Sequence, residues 1–435
     1  MKTLKNSLGP LFLTVGCSSP NEPEVSIALE SGSPAAEVQP EYQRGPQNWA
    51  PNFPAQADLA ILLDVLDEPL VDTSTRDGDG ARLFPQAWLG KIEEAYASTD
   101  VSDALQRENT YTDWRLVSVR ISPCAPVGIS PDVDIDEWCW PTVRLVWQPV
   151  VEGLRSGWGT IMEFYADDRA AHTIYPVRPR NPDGIRIEGA WREHVAAHLA
   201  AGRRPEDLDP RLVEGFSAVR DATAIALLNG VAALRDPAIA AEAYEDIELR
   251  PEVQGNTGVE SRFQQRLTSF LSEFASWQDL EEMTSFSLPE GRNPSASDIW
   301  TFVGFDGNNG FPSLKDLTVI GRDSGQQLVN IGSDQTVALG VEDEAVQAEI
   351  AAGNNELSLS VIISASDIED MGAEMADPYA FLVPNTSCAS CHRLNGLRFD
   401  FHSLSGFEDR GITVSPRVTK DVARDMFWAR SALLR

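Results

Sequence analysis

The chain has 435 residues, of which 42% are hydrophobic, and this is enough apolar material for two or three folded domains. Its 66 acidic residues outnumber its 35 basic ones, so the formal net charge at pH 7 is -31. We therefore expect no nucleic-acid partner and no binding to an anionic membrane surface, because both repel negative charge.

The N-terminal residues resemble a bacterial secretion signal that ends in a lipid-attachment site. Two lysines precede an apolar stretch at residues 8–15, and Cys17 follows it closely. Residues 13–17 are similar to a lipobox, although Thr14 occupies the place three before the cysteine where Leu is usual. The resemblance implies a signal peptide at residues 1–17, lipid on Cys17, and an exported lipoprotein of the periplasm or cell surface, anchored in the outer membrane. The alternative is an ordinary N-terminus in which Cys17 has no role.

Residues 18–54 are predicted to be a disordered tether, because they are rich in Pro, Ser, Glu and Gln and show no apolar periodicity. No segment after them is long and apolar enough to cross a bilayer. Membrane contact is therefore expected only through the lipid anchor.

The fold class predicted for the chain is α+β. A large mixed N-terminal body with antiparallel sheet and helices is followed by a short, mainly helical C-terminal segment at residues 381–435. In the first part of the body, residues 55–250, helical patterns are followed by strand-like alternation that predicts an antiparallel meander. Helices are expected at residues 58–67, 84–97, 190–201 and 209–235, and strands at 114–121, 143–151, 161–165 and 173–177.

Residues 251–380 are predicted to form a second α+β region, which could be one continuous domain with the first. Its helix places five apolar residues on one face: Phe263, Leu267, Phe270, Leu271 and Phe274. Strands are expected at residues 283–288, 300–305, 317–320, 336–339 and 357–363.

Cys124 and Cys139 flank a turn-rich segment and are expected to form a disulfide, which is normal in an oxidising compartment. Closing this loop contributes about 3 kcal/mol by restricting the unfolded chain. The alternative is two buried free thiols. The disulfide is favoured because the chain has five cysteines, and pairing these two leaves none of the five without an assigned role.

His194 and His198 lie four positions apart on a predicted helix, so they share a face where they could bind a metal ion. No third ligand accompanies them, and Val195 stands where the H-E-x-x-H motif has Glu. We expect two surface histidines and not a metal site.

The most specific motif of the chain lies in residues 381–435. Cys388, Cys391 and His392 spell C-x-x-C-H, the attachment signature of c-type haem. Residues three and four apart on a helical turn share a face, so the cysteines can reach the two haem vinyl groups as thioethers while His392 binds the iron. From residue 388 onward the chain resembles the haem-binding part of a c-type cytochrome. The resemblance implies one covalent haem c and a role in electron transfer.

A second metal chemistry is open to the same residues, because Cys388, Cys391, His392 and His402 also make a four-ligand zinc set. Haem is favoured, since zinc sites of this kind prefer a second, distant pair of ligands and occur mostly in reducing compartments.

The distal iron ligand is open between several residues. His402 is favoured, because aromatic residues surround it in the sequence and the chain has only five histidines. Met426 is the alternative, although it also belongs to a helical stripe that fits a packing role: Val422, Met426, Ala429 and Leu433. Met371, Met375 and an iron without a sixth ligand are further alternatives.

Charge is divided unevenly along the chain. From Cys388 onward there are eight basic and five acidic residues, so this segment carries +3 and the remainder carries -34. The division fits a mildly basic haem face on an acidic body, but an acidic body also serves solubility alone.

The sequence as a whole predicts an exported monohaem protein that passes electrons to or from a partner protein. No catalytic residue is assigned. The alternative is an acidic binding or sensor module in which the haem is structural or regulatory. A haem peroxidase-like enzyme is disfavoured, because relatives of that chemistry usually carry two C-x-x-C-H motifs.

Overall fold

The computed structural model of the chain describes residues 49, 52–63, 69–76, 80–97, 114–127, 136–152, 164–166, 170–178, 195, 197–198, 204–254, 257–287, 299–308, 311–315, 318–319, 322–323, 328–332 and 416–433. All of them belong to one compact unit, Glu41–Arg435.

A nine-stranded sheet organises this unit, and neighbouring strands in it are antiparallel. Its strands are β1 (Ala60–Leu62), β2 (Trp114–Pro126), β3 (Cys139–Glu152), β4 (Phe164–Ala166), β5 (Ala170–Pro176), β6 (Glu282–Ser287), β7 (Ile299–Asn308), β8 (Phe311–Lys315) and, after a separate ribbon of β9 (Thr318–Val319) and β10 (Arg322–Asp323), β11 (Leu328–Gly332). Seven strands follow the order β1-β2-β3-β5-β6-β7-β11, while β4 pairs with β3 and β8 with β7.

Five α-helices whose bounds are described accompany the sheet: α1 (Gln56–Leu59), α2 (Gln86–Ala97), α3 (Pro210–Ala232), α4 (Thr257–Phe274) and α5 (Pro416–Leu433). Short 3-10 turns lie at Pro205–Asp207, Ala241–Tyr244, Pro251–Val253 and Trp277–Asp279. The start of α3 follows from local chemistry. The Asp209 carboxylate accepts from the backbone N–H of Arg211 at 2.9 Å, and Pro210 takes the first helical position, where its missing N–H is harmless.

The β2–β3 hairpin shows why the meander could be predicted. Along the middle of β2, buried residues such as Val119 and Ile121 alternate with half-buried Ser118, Arg120 and Ser122. A period of two places one set of side chains on the core face of a sheet. The strand continues to residue 126, beyond its predicted end at 121, through a break in register.

Helix α4 contributes its predicted apolar stripe to the main core. Phe263, Leu267, Phe270, Leu271 and Phe274 are all buried there. Helix α3 comes so close to α4 that a Cβ on Gly230 would lie 2.6 Å from the Phe274 ring. The absence of a side chain at this position therefore permits the contact between the two helices.

The helix expected at residues 58–67 is wrong for residues 60–63. In the described residues, the short helix α1 ends at Leu59 and the chain then enters β1, which pairs with β2 through Ile61 opposite Val119. Ile61 is β-branched and fully buried, and pairing at the sheet edge suits such a residue better than a helix does.

Packed structure also begins before the predicted end of the tether at residue 54. Phe53 is only 2% exposed, and its ring lies 4.8 Å from that of Trp49 in an edge-to-face contact. Phe53 belongs to the main core and Trp49 packs against it, because burying aromatic rings is strongly favourable.

Helix α5 is also an element of the main core, although its sequence falls in the predicted haem-binding segment 381–435. Val422, Trp428, Ala429 and Leu433 are buried in the same cluster as residues of β1 and β2. The apolar stripe predicted for this helix therefore faces the body.

The strands on both sides of residue 250 belong to the same sheet, so the described parts of residues 55–250 and 251–380 share it. The described structure is α+β, as predicted. The strands expected at 336–339 and 357–363 lie outside the described residues. Of the helix expected at 190–201, residues 195, 197 and 198 are described and are helical.

Candidate functional site

The residues expected to carry the cofactor lie outside the described part of the chain. They are Cys388, Cys391, His392 and His402, with Met371 and Met375 as alternative ligands. Cys17 and His194, which were considered for other roles, also lie outside the described residues. Their roles stay predictions. The structure does describe helix α5, which follows the C-x-x-C-H segment in the chain, and the part of the body on which this helix packs.

Helix α5 is the described element nearest in sequence to this motif. Two of its side chains bond to the end of the β2–β3 hairpin at which the chain passes from β2 to β3, called here the far end. The Arg424 Nη2 group donates to the carbonyl oxygen of Cys124 at 3.0 Å. The Trp428 indole N–H donates to the carbonyl oxygen of Asp136 at 2.9 Å. Both acceptors lie about 300 positions earlier in the chain, so these bonds are long-range tertiary contacts that join the helix to the hairpin.

A buried charge cluster forms the centre of this contact. Asp425 is fully buried and accepts from Arg120 Nη2 at 2.5 Å and from Arg424 Nη2 at 3.0 Å. Burial lowers the pKa of the Arg424 guanidinium, but the carboxylates of Asp425, Asp421 and Asp136 more than offset this and raise it above its ordinary value. Arg424 is therefore charged at every physiological pH, and the cluster depends on all its members being present.

Met426, the alternative iron ligand, is partly buried on α5 and packs against the main core. Its neighbours along the stripe, Val422 and Ala429, are fully buried in that core. This placement favours the packing role over iron ligation, because the stripe already has a partner surface in the body.

The predicted disulfide is present between Cys124 and Cys139. Both residues are fully buried, and their Cα atoms lie 4.8 Å apart. Cys124 lies near the end of β2 and Cys139 begins β3, so the bond closes the turn that joins the two strands. The same Cys124 carbonyl receives the hydrogen bond from Arg424, which connects the disulfide directly to α5.

His198, one of the two histidines weighed as a metal pair, lies with its Nε2 atom 2.9 Å from the carbonyl oxygen of Arg204. A ring nitrogen in this position acts as a donor to the carbonyl, which gives His198 a structural contact. Val195 on the same segment is fully buried in a smaller core cluster with Trp138, Trp140 and Phe216.

A second buried charge network was missed by sequence reasoning. Asp58 accepts from Arg235 Nε at 2.9 Å and from Arg250 Nη1 at 3.3 Å. Glu252 accepts from Arg250 Nε at 3.0 Å and from the Tyr244 hydroxyl at 2.7 Å. The guanidinium carbons of Arg235 and Arg250 lie 4.4 and 4.7 Å from the centre of the Tyr244 ring.

This network stabilises the packing of two segments that are far apart in the sequence. Burial, followed by the neighbouring carboxylate of Glu252, raises the pKa of Tyr244 far above its ordinary value, so its hydroxyl stays protonated as a donor. The network joins the segment around Asp58 to the turn around Arg250. No local pattern predicts it, because the two arginine partners of Asp58 lie 177 and 192 positions away.

The described residues contain no group of three or more His, Cys, Asp or Glu side chains arranged to hold a metal ion. Within the same residues, none of the helices combines the length and the apolar character needed to span a membrane. Comparisons with protein-family models, with curated proteins and with solved structures found no match.

Proposed function

We propose that this protein is an exported monohaem c-type protein that acts in electron transfer. Cys388 and Cys391 hold one haem c through thioether bonds, and His392 is the proximal iron ligand. The observation that carries the proposal is the C-x-x-C-H motif itself, whose spacing suits two thioethers and one imidazole on a single helical turn. When bound, haem c supplies a one-electron redox centre whose potential depends on the second axial ligand and on burial.

The disulfide between Cys124 and Cys139 supports the export that this proposal requires. Disulfides form and persist in oxidising compartments, and the bacterial periplasm is one of them. This bond uses two of the five cysteines, so only Cys17, Cys388 and Cys391 are left for other chemistry. Lipid on Cys17 and haem on the other two account for the whole set.

His402 is the distal ligand in this proposal. Support comes from the described part of α5, where Met426 packs against the main core as part of a buried stripe. With His392 and His402 on both axial positions, the iron is six-coordinate, so the haem carries electrons and does not bind peroxide or oxygen. The partner is a second redox protein. The protein meets the membrane only through the lipid on Cys17, at the outer membrane.

The proposal is tested by haem staining after denaturing electrophoresis of protein made with a c-type maturation system. The wild-type band should stain, and the reduced-minus-oxidised visible spectrum should show the bands of a c-type haem. Cys388→Ala combined with Cys391→Ala should abolish the stain. The matched control, Cys124→Ala with Cys139→Ala, also removes two cysteines but leaves the motif intact, so its chains should still stain. A wild-type chain that carries no stain and instead binds one equivalent of zinc would refute the haem assignment.

A further inference from the structure

The disulfide joins β2 and β3 at the end of the hairpin where the chain passes from one strand to the other, and the regular pairing of the strands is interrupted beside it. The strand pairing breaks register between Ser122 and Ala125, next to Cys124. Prolines stand on both strands at this point, Pro123 and Pro126 on β2 and Pro141 on β3, and a proline has no N–H to donate. One backbone bond closes the ladder beyond them, from Val127 N to the Trp138 carbonyl at 2.8 Å.

Helices α3 and α5 both depend on backbone carbonyls at this end of the hairpin. Arg424 and Trp428 of α5 donate to the carbonyls of Cys124 and Asp136, one beside each end of the closed turn. From α3, the Arg220 guanidinium donates to the Glu137 carbonyl and lies 5.4 Å from the centre of the Trp428 ring. These bonds form together only when both strand ends are held at a fixed spacing.

If the carbonyl groups of Cys124 and Asp136 move relative to each other, the buried guanidinium of Arg424 and the buried indole of Trp428 cannot both stay bonded. Arg424 and Trp428 are 6% and 4% exposed, so water does not readily replace a lost partner. The bond between Cys124 and Cys139 joins the two strands beside these acceptors, since Cys124 supplies one of them and Asp136 lies three residues before Cys139.

We propose that the Cys124–Cys139 disulfide is a latch for helix α5, so that the helix docks firmly on the body only after the disulfide has closed. In a reducing compartment the helix stays loosely held, and after export it becomes fixed. The proposal stands on the described contacts and does not depend on the haem.

The chemical step is an ordinary thiol–disulfide exchange. The thiolate of one cysteine attacks the disulfide of an oxidant, such as oxidised glutathione or a disulfide-carrying oxidoreductase, and the second thiolate then displaces that oxidant. One sulfur–sulfur bond forms in the protein and one breaks in the oxidant. The two electrons pass to the oxidant, and the two protons from the cysteines accompany its reduced thiols.

The first experiment compares hydrogen exchange in the full mature protein with and without the disulfide. In the Cys124→Ala, Cys139→Ala variant, amides of α5 should exchange at least tenfold faster than in the wild type. Amides of α4 serve as an internal control, since this helix packs in the same core while its Gln264 and Arg266 side chains bond to the carbonyls of Leu70 and Leu234. Unchanged exchange in α5, or an equal increase in α4 and α5, would overturn the latch.

The second experiment uses the reciprocal effect and does not require the cysteine variant to fold. If the closed disulfide favours docking of α5, docking must favour the disulfide by the same factor. Trp428→Phe removes the N–H that bonds to Asp136 but keeps a ring. After equilibration with a dithiol buffer, the equilibrium constant for reduction of the disulfide should be five- to tenfold larger in this variant than in the wild type. The reduced fraction is measured by mass spectrometry of the peptides that carry the two cysteines.

Trp147→Phe is the matched control for this measurement. Its indole N–H donates to Thr173 at 3.0 Å within the sheet, away from the disulfide, and the ring is equally buried. The control should leave the equilibrium between dithiol and disulfide unchanged. If Trp428→Phe and Trp147→Phe shift it by the same factor, or neither shifts it, the disulfide is only a general staple and the latch is refuted.

Discussion

Arg250 and Asp58 lie 192 positions apart in the chain, yet the Arg250 guanidinium bonds to the Asp58 carboxylate with both side chains fully buried. The same carboxylate also receives Arg235 and the backbone N–H of Ala55 at 2.8 Å. One acidic side chain thus bonds to two cations and to the backbone of a turn. Removing it leaves those cations buried with fewer partners, which is the costly way to break an ion pair.

Asp58→Ala should therefore lower the free energy of unfolding by about 3–5 kcal/mol. Urea denaturation followed by tryptophan fluorescence measures this difference. The matched control is Asp207→Ala, which removes an acidic partner of Arg204 from an exposed pair. It should barely move the midpoint, because exposed ion pairs contribute little. Equal effects of the two substitutions would contradict the stabilising role of Asp58.

Gly307 in β7 should not tolerate a side chain. A Cβ at this position would lie 1.9 Å from the carbonyl oxygen of Leu280, which is backbone and cannot swing away. Gly307→Ala should destabilise the protein by about 2 kcal/mol or more. The control is Gly90→Ala in helix α2, where a Cβ meets nothing within 4 Å. It should raise the stability by roughly 0.5–1 kcal/mol, since alanine favours a helix interior.

Asp236 makes the stability depend on pH on the acid side. The backbone N–H of Ala238, aided by Arg262 and Arg266 against the effect of burial, lowers the pKa of Asp236 below its ordinary 3.8. Because the folded pKa is below the unfolded one, the contribution is complete above about pH 4 and is lost as the pH falls through the folded pKa. Asp236→Asn should lower the urea midpoint at pH 7, and its difference from the wild type should narrow toward pH 3. Glu242→Gln, an exposed carboxylate nearby, should change the midpoint little at either pH.

The proposed distal ligand is tested by optical spectroscopy of the haem protein. His402→Ala should open the iron, shift the spectrum toward high spin and allow carbon monoxide to bind quickly, whereas the wild type should bind it slowly. Met426→Leu should leave the spectrum unchanged and cost less than about 1.5 kcal/mol, since the swap nearly conserves volume. A weak far-red band in the oxidised wild type, typical of iron–methionine ligation, would move the assignment to Met426, Met371 or Met375.

Lipid attachment at Cys17 is tested by cell fractionation. Wild-type protein should be found with the outer membrane, and Cys17→Ala should release it to the soluble periplasm or retain it unprocessed. Ser18→Ala leaves the cysteine in place and should stay with the membrane. A wild-type protein that is already wholly soluble would contradict the lipoprotein assignment.

Local periodicity explains which parts of the fold the sequence could predict. The stripe on α4 and the alternation of β2 and β3 are set by neighbouring residues, and both were predicted. Strand β1 was missed because three residues are too few to show a period of two, and their burial comes from pairing with β2. The same limit applies to the candidate site. C-x-x-C-H is readable because its five residues are contiguous, whereas the bond from Arg424 to Cys124 joins positions 300 apart.

The burial of α5 in the main core also bears on how such a chain can change over evolution. A cytochrome fused behind a finished domain can be gained or lost as a module, and the domain stays whole. Here the C-x-x-C-H segment lies between β11, a strand of the sheet, and α5, a helix of the main core. A stop codon anywhere between β11 and Pro416 would remove this core helix, and one before Cys388 would remove the motif with it. Selection on the stability of the body therefore disfavours truncations after β11, whatever the C-x-x-C-H segment does.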